Sequence, residues 1–334
     1  MRVFLTGGTG LIGRGLTEKL LARGDQPVVL SRQADKFRRN PKTRGIQVIQ
    51  GDPAVAGGWE SAVDGCDAVI NLVGHNLFSD RWNAKVKQTI RDSRVYSTEH
   101  VVSAIEKSRS RPKVLVQASA IGYYGPSTSD TPQTEETPSG HDFMAVVCRE
   151  WEQAAAPVAD LGVRLATIRT GIVLAKGEGA LGFIGPIYKL FLGSPVGGSG
   201  SPLKPGTGHQ WMSWIHIDDI VGLFLTSLDN PAATGPINGV APNPVRHAEF
   251  GKALGKALRR PFIPIGPPDF MLNLLLGEVA QVVTAGQKVL PTKAESLGYH
   301  FQYPEIAAAL REIYAKKAVA ETPRAPAVAH SAHH

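Results

Sequence analysis

The first thirteen residues, MRVFLTGGTGLIG, constrain this 334-residue chain more than any other stretch. Arg2 to Thr6 reads as a short buried strand, Gly7-Gly8-Thr9-Gly10 as a turn, and a helix opens at Leu11-Ile12-Gly13. Strand, glycine turn and helix in that order open a dinucleotide-binding fold. The glycines Gly7, Gly10 and Gly13 have separate tasks. Gly7 suits the tight turn, Gly10 lets backbone approach a pyrophosphate, and Gly13 lets the helix pack closely on the strand. Thr9, Leu11 and Ile12 stand at the free N–H groups and positive end of the helix, which face the phosphates. Apolar residues at Leu11, Ile12, Leu16, Leu20 and Leu21 make the helix amphipathic. The plain alternative is a tight strand–helix turn with no ligand.

Strand and helix signals alternate through the first half. Pro27–Ser31, Ile46–Gln50, Asp67–Val73, Lys113–Ser119 and Arg164–Arg169 are short β-branched or apolar runs. Runs apolar on both faces and separated by helices indicate a parallel sheet covered on both sides. A long helix is expected from about Arg81 to Lys107. From Gly177 to Gly208 glycine and proline become frequent, a pattern of binding loops or lids. Trp214 to Leu228 reads as a strand entering a helix capped by Asp218 or Asp219, followed by a strand at Pro236–Val240 and a helix at Arg246–Leu258.

Composition narrows the function classes. Two cysteines, Cys66 and Cys148, argue against a disulfide framework and a cysteine metal site, and fit a reducing cytoplasm. Strand one begins at once, so no signal peptide is expected. No apolar run reaches membrane-spanning length, and the stretch from Phe270 to Val283 is broken by Asn273, Gly277, Glu278 and Gln281. The net charge of +7 comes without any interleaved aromatic and basic platform, so neither nucleic acid nor membrane is an expected partner. Basic residues cluster at Lys36, Arg38, Arg39, Lys42 and Arg44, a solvated loop that would also attract a phosphorylated cofactor.

The end of strand two selects the cofactor. An acid there would bind a ribose hydroxyl and repel a 2′-phosphate, whereas this chain has Ser31 and Arg32. A guanidinium beside a hydroxyl suits the phosphate of NADP(H). Asp52, in QGDP, is placed either to accept from the adenine amine or to hold a turn before Pro53. Leu72, Val73 and Gly74 close strand four, where glycine permits close backbone approach to the cofactor ribose.

Several motifs now carry a resemblance. The start GGTGLIG, NLVG at strand four, SAIGYYG (Ser119–Gly125) and WIHIDD resemble the extended short-chain dehydrogenase/reductase superfamily. Arg81-Trp82 followed by Ser93-Arg94-Val95 and Thr98, GHQWMSWIHIDD (Gly208–Asp219), and GQKVLP with LGYHFQYP (Gly286–Pro304) resemble its atypical, nucleoside-diphosphate-sugar epimerase-like branch. The resemblance spans Met1 to Tyr314. It implies an α/β, Rossmann-like doubly wound parallel sheet with helices on both faces and a smaller C-terminal α/β substrate domain. Residues 1–175 would bind NADP(H), with 211–240 returning to that domain. Residues 176–210 and 241–318 would form the smaller domain, and 319–334, with His330, His333 and His334, a disordered tail. It also implies that Arg94 reaches a cofactor phosphate or ribose, against the ordinary alternative of a surface salt bridge, and that Ile172 packs on the nicotinamide.

The catalytic pattern departs from that superfamily. Its enzymes use a serine at the end of strand five with tyrosine and lysine four apart on the next helix. Ser119 matches the serine, but His141 to Ala155 contains neither tyrosine nor lysine. The best register puts Met144 and Cys148 in their places, with Arg149 one residue too late. Tyr123, in the loop after strand five, is the candidate substitute acid, with Tyr124 beside it. Gln210, Trp211, Ser213 and Trp214 are expected in a cleft wall, with Lys189 and Lys204 nearby for an anionic substrate. Two readings follow. One is an NADP(H)-dependent oxidoreductase or epimerase-like enzyme on a small polar carbonyl or hydroxyl substrate, compatible with a homodimer. The other is a catalytically degenerate NADP(H)-binding sensor or scaffold.

Overall fold

A computed structural model describes residues 1–38, 45–127, 129–198, 201 and 203–315, without the side chains of 276, 282 and 283. Arg39, Lys42, Arg44 and the tail from 316 therefore lie outside the described residues. The first half runs β1 (Arg2–Thr6), α1 (Leu11–Ala22), β2 (Gln26–Ser31), α2 (Ala34–Arg38), β3 (Gln47–Gln50), β4 (Ala68–Asn71), α3 (Ala84–Lys107), β5 (Val114–Ala120), α4 (Phe143–Ala155) and β6 (Arg164–Thr170). It continues through β7 (Ile172–Ala175), α5 (Gly179–Lys189), β8 (Trp211–Met212), β9 (Trp214–His216), α6 (Ile217–Asp229) and β10 (Gly235–Gly239). The remainder is β11 (Val245–Arg246), α7 (His247–Leu258), α8 (Asp269–Leu276), α9 (Ala280–Thr284), α10 (Thr292–Ser296) and α11 (Ile306–Tyr314).

Seven strands form a parallel sheet in the order β10-β6-β5-β4-β1-β2-β3. Successive side chains on a strand point to opposite faces. Val3 and Leu5 accordingly join one buried cluster with Leu16 and Leu20 of α1 and Leu223 and Phe224 of α6. Phe4 joins the other, with Val101 and Ile105 of α3. Both faces are dry, which is why the strand runs read as continuously apolar. A third cluster lies apart from the sheet, where Tyr188 of α5, Trp214 of β9, Phe250 of α7 and Leu310 of α11 meet. Among the described residues no helix is long and apolar enough to cross a membrane.

The chain order reverses between β1 and β4, which flank one another in the sheet. A ligand crevice forms outside the strand ends at such a switch point. A buried polar network holds this point. Asn71 accepts from the Thr6 hydroxyl and donates to Thr98 Oγ1 and Gln117 Oε1, both at 2.9 Å. Trp151 Nε1 reaches the same Thr98 oxygen at 3.1 Å.

One cap differs from expectation. The residue capping α6 is His216, whose Nδ1 accepts from the Asp218 amide at 3.1 Å. The helix starts two or three residues earlier than the aspartates suggested, so Asp218 and Asp219 both fall in its first turn. Asp219 is fully buried and instead accepts from the amides of Gln302 (2.7 Å) and Tyr303 (3.0 Å), tying the C-terminal segment to α6.

Candidate cofactor and active site

At the switch point the glycine turn is as tight as its spacing implied. Gly7 has φ +66°, and a Cβ there would lie 3.0 Å from the backbone and side chain of Leu72. A Cβ on Gly13 would fall 2.3 Å from the Gly7 carbonyl oxygen and 2.6 Å from Gly8 Cα. The α1 axis therefore packs backbone to backbone against the turn. Gly10 is the residue before α1, and no side chain caps the helix. Thr9 and Gly10 are exposed and Leu11 and Ile12 half-buried, so the first amides of α1 are left for an incoming anion.

At the end of β2, Ser31 is buried and its Oγ accepts from the Gln33 amide at 3.1 Å. Arg32 is exposed, and its side chain enters none of the ion pairs among the described residues. Ser31, Arg32 and Lys36 line one groove together with Thr9 and Arg14. Asp52 is half-buried and its Oδ1 accepts from the Ala54 amide at 3.0 Å, so one carboxylate oxygen is spent on its own turn. Ile172 opens β7, half-buried, its amide donating to the Ser213 carbonyl at 3.0 Å.

Arg94 departs from the ordinary surface ion pair. It is buried and has no carboxylate partner among the described residues. It donates to the carbonyls of Ile90 (2.9 Å) and His75 (3.2 Å) and lies 5.2 Å from the Trp151 ring. Desolvation pulls its pKa down. A Cβ on Gly74 would be 3.0 Å from the Arg94 Cζ, so the guanidinium lies directly beneath the turn that follows β4. Leu72 and Val73, half-buried, lead into that turn.

At the expected catalytic end, buried Ser119, Tyr124 and Arg169 cluster with half-buried Glu152. Ser119 is 3% exposed and its Oγ donates to Glu152 Oε1 at 2.7 Å. Arg169, its β6 neighbour in register, holds Glu152 with two hydrogen bonds of 2.9 Å. Burial works against the charge on Arg169, and the Glu152 hydrogen bonds and charge more than offset it, leaving its pKa raised. Arg169 Nη1 also donates to the Tyr124 hydroxyl at 3.1 Å. That hydroxyl in turn donates to Asn238 Oδ1 at 2.6 Å. Burial pushes the Tyr124 phenol up to about 12. Tyr123 is half-buried and stacked under Arg169, whose Cζ is 3.4 Å from the ring centroid. Its hydroxyl makes no hydrogen bond among the described residues, which separates it from the buried Tyr124.

On α4, Met144 and Cys148 share one face. A Cβ on Gly122 would touch Met144 Cβ at 3.4 Å and Cys148 Sγ at 3.6 Å, so both face the turn after β5. Arg149 points away to Ser139. Cys148 is 1% exposed, and burial pushes its thiol up to about 12.

Residues 3–239 match the NAD dependent epimerase/dehydratase family. The chain belongs to that family. Residues 267–313 match a domain of unknown function, DUF1731, which places the chain in the atypical branch with its own C-terminal domain. Epimerase family protein SDR39U1 homolog, chloroplastic, of Arabidopsis thaliana is 44% identical over 320 residues, 94% of this chain and 86% of that protein. Epimerase family protein SDR39U1 of Homo sapiens is 36% identical over 320 residues, 94% of this chain and all of that protein. A crystal structure of the human protein (isoform 2) with NADPH is similar at a TM-score of 0.81 and 35% identity, over 94% of this chain and 99% of that one. UDP-glucose 4-epimerase of Thermus thermophilus, crystallised with NAD, shares the fold at a TM-score of 0.73 and 19% identity, over 94% and 99%.

Within this family member, sequence reading missed Glu152, the partner of Ser119, and Arg169, which holds Glu152. Glu152 extends the Met144–Cys148 stripe by one further turn of α4, and Arg169 is a charge inside an apolar strand run. A buried charge requires a partner, and that was the available signal. The expected cleft wall is reduced to Trp211. Trp214 is fully buried, its Nε1 donating to the Asn243 carbonyl at 3.1 Å. Ser213 and Gln210 are buried too, and Ser213 donates to the Gln287 carbonyl at 2.8 Å. Trp211 stays half-buried under Arg246, 3.9 Å from its ring. Lys189 and Lys204 are exposed.

Proposed function

We propose that this chain is an NADP(H)-dependent oxidoreductase or epimerase-like enzyme acting on a carbonyl or hydroxyl carbon. The observation that carries the reading is the pairing of an uncapped α1 start with an exposed Arg32 at the end of β2, where no carboxylate stands. Backbone amides of Leu11 and Ile12 would face the pyrophosphate, with Gly7, Gly10 and Gly13 allowing the approach. Ser31 and Arg32 would hold the 2′-phosphate, and the outer oxygen of Asp52 the adenine amine. Leu72, Val73 and Gly74 would border the ribose, with Arg94 supporting their turn from beneath. Ile172 would pack on the nicotinamide. Bound NADP(H) supplies or accepts hydride.

The chain's own residues handle the proton. Tyr123 would donate its hydroxyl proton to the substrate oxygen as the carbonyl carbon gains hydride, and then recover a proton from solvent. Arg169 is a positioning residue that fixes the ring of Tyr123, since its charge is balanced by Glu152. Ser119 has committed its proton to Glu152, so toward a substrate it would act as an acceptor. That commitment, with Met144 and Cys148 in place of the usual pair, is also what favours the alternative reading of a nucleotide sensor.

Calorimetry separates these. Wild type is expected to bind NADPH more tightly than NADH, and Arg32→Glu to weaken NADPH by at least about tenfold, the scale of one charge-assisted phosphate contact. Equal affinity in the two proteins would remove Arg32 from the site. Tyr123→Phe is expected to leave NADPH affinity unchanged and to lower carbonyl-dependent NADPH oxidation about 100-fold. Undiminished turnover in Tyr123→Phe would exclude that tyrosine as the acid. NADPH binding without turnover of any carbonyl, together with partner capture that changes with NADPH, would support the sensor.

A further inference from the structure

Two segments, 179–203 and 263–275, present large apolar side chains that stay exposed among the described residues. On α5, Phe183 and Ile187 stand one turn apart and are 55% and 48% exposed. On α8, Leu274 and Leu275 are 74% and 77% exposed, with Phe270 and Met271 one turn before them on the same sides. Among the described residues, the exposed large apolar side chains outside these segments are Phe78, Met1, Val55 and Tyr96. Scattered cases need no account, but a patch confined to two segments does.

Contacts at the ends of both helices show where the patch leads. A Cβ on Gly179, at the start of α5, would lie 3.4 Å from Leu11, the first residue of α1. The Phe183 ring meets Phe78 at 5.6 Å, four residues beyond Gly74. α8 ends at Gly277, where a Cβ would be 2.8 Å from Arg81 Nε, and Glu278 beside it pairs with Lys87. The outer ends also meet, for the Ile263 amide donates to the Gly193 carbonyl at 2.8 Å. The two segments thus come together at both ends, their inner ends lying by the start of α1 and the stretch that follows Gly74, the cofactor end of the proposed site. The charged residues of these segments are Lys189 and Asp269 alone.

We propose that the substrate carries an apolar chain, bound between α5 and α8, with its carbonyl or hydroxyl end reaching past the turn that follows Gly74 toward Tyr123. This rests on the proposed oxidoreductase reading and confines the polar character expected from sequence to one end of the molecule. A second copy of the chain or a lipid surface could also cover apolar residues. Neither would account for a patch that begins at the first residue of α1 and ends on the turn after β4.

The test uses the full chain loaded with NADP⁺ and follows displacement of 1-anilinonaphthalene-8-sulfonate by straight-chain 1-alkanols of four to ten carbons. Affinity is expected to rise about fourfold for each methylene that enters the groove. Leu274→Asp and, separately, Ile187→Asp are expected to weaken decanol at least tenfold while NADPH affinity stays unchanged. Affinity independent of chain length, or unaffected by either variant, overturns the proposal. A dimer, seen by light scattering, that Leu274→Asp splits would make the patch an interface between copies and overturn it too. So would sedimentation with phosphatidylcholine–phosphatidylglycerol vesicles that Leu274→Asp abolishes. Alkanol binding without NADPH binding would sink the cofactor reading and leave the groove standing.

Discussion

Gly13→Ala is expected to abolish measurable NADPH binding and to lower the melting temperature of the protein. The added methyl carbon would sit 2.3 Å from the Gly7 carbonyl oxygen and 2.6 Å from Gly8 Cα, and neither atom belongs to a side chain that can rotate away. Either α1 must back off the turn or the turn must open. Ordinary contact begins near 3.4 Å, so the displacement is about 1 Å, enough to misplace the helix amides from a bound phosphate. Overpacking of this kind costs about 1–3 kcal/mol of stability. The loss of aligned amides is expected to add at least about a 100-fold loss in affinity, about 2.7 kcal/mol. Gly58→Ala is the matched control, because a Cβ there meets nothing within 4 Å. Calorimetry and thermal melts of the two variants decide the matter. NADPH affinity in Gly13→Ala within threefold of wild type would show that the turn does not hold the cofactor.

Glu152→Ala is expected to be the most destabilising single substitution at the catalytic end, by about 3–5 kcal/mol. Removing the carboxylate leaves Arg169 buried with its charge uncompensated, its side chain only 4% exposed. It also strips Ser119 of the acceptor for its proton. The cost arises mainly from the stranded cation, so the double variant Glu152→Ala with Arg169→Met is expected to recover part of the loss. Urea unfolding of both singles and the double measures that recovery. A change below about 1 kcal/mol in Glu152→Ala, or a double variant no more stable than the single, would show that the pair is not what holds β6 against α4.

Much of the fold was legible because its signals are local. The glycine turn, the apolar runs of β1, β2, β4 and β5 and the long α3 each declare themselves within a few residues. The start of α3 at Ala84, three residues after the expected Arg81, follows from Asn83, whose side chain accepts from the Val86 amide at 2.9 Å. The absence of a Tyr–Lys pair from α4 was equally local, since four-residue spacing on one helix is a property of the sequence. What replaced the pair was not. Ser119 meets Glu152 33 positions on, and Asn71 meets Gln117 46 positions on. Trp214 and Trp211 are three residues apart with similar chemistry, yet one is core and the other half-exposed, because α11 and α7 cover only the first.

The sequence by itself determined the class of fold, the glycine turn that opens α1 and the lack of tyrosine and lysine on α4. These depend on backbone conformation and helical or strand period, which neighbouring residues impose. Only the tertiary structure decided that Arg94 lies beneath the Gly74 turn instead of at the surface, that Glu152 takes the Ser119 proton while Arg169 holds Glu152 and lies over Tyr123, and that apolar side chains of α5 and α8 stay exposed. Burial and pairing of that kind are set by which distant segments the parallel sheet brings together. No single segment carries that information in its own pattern.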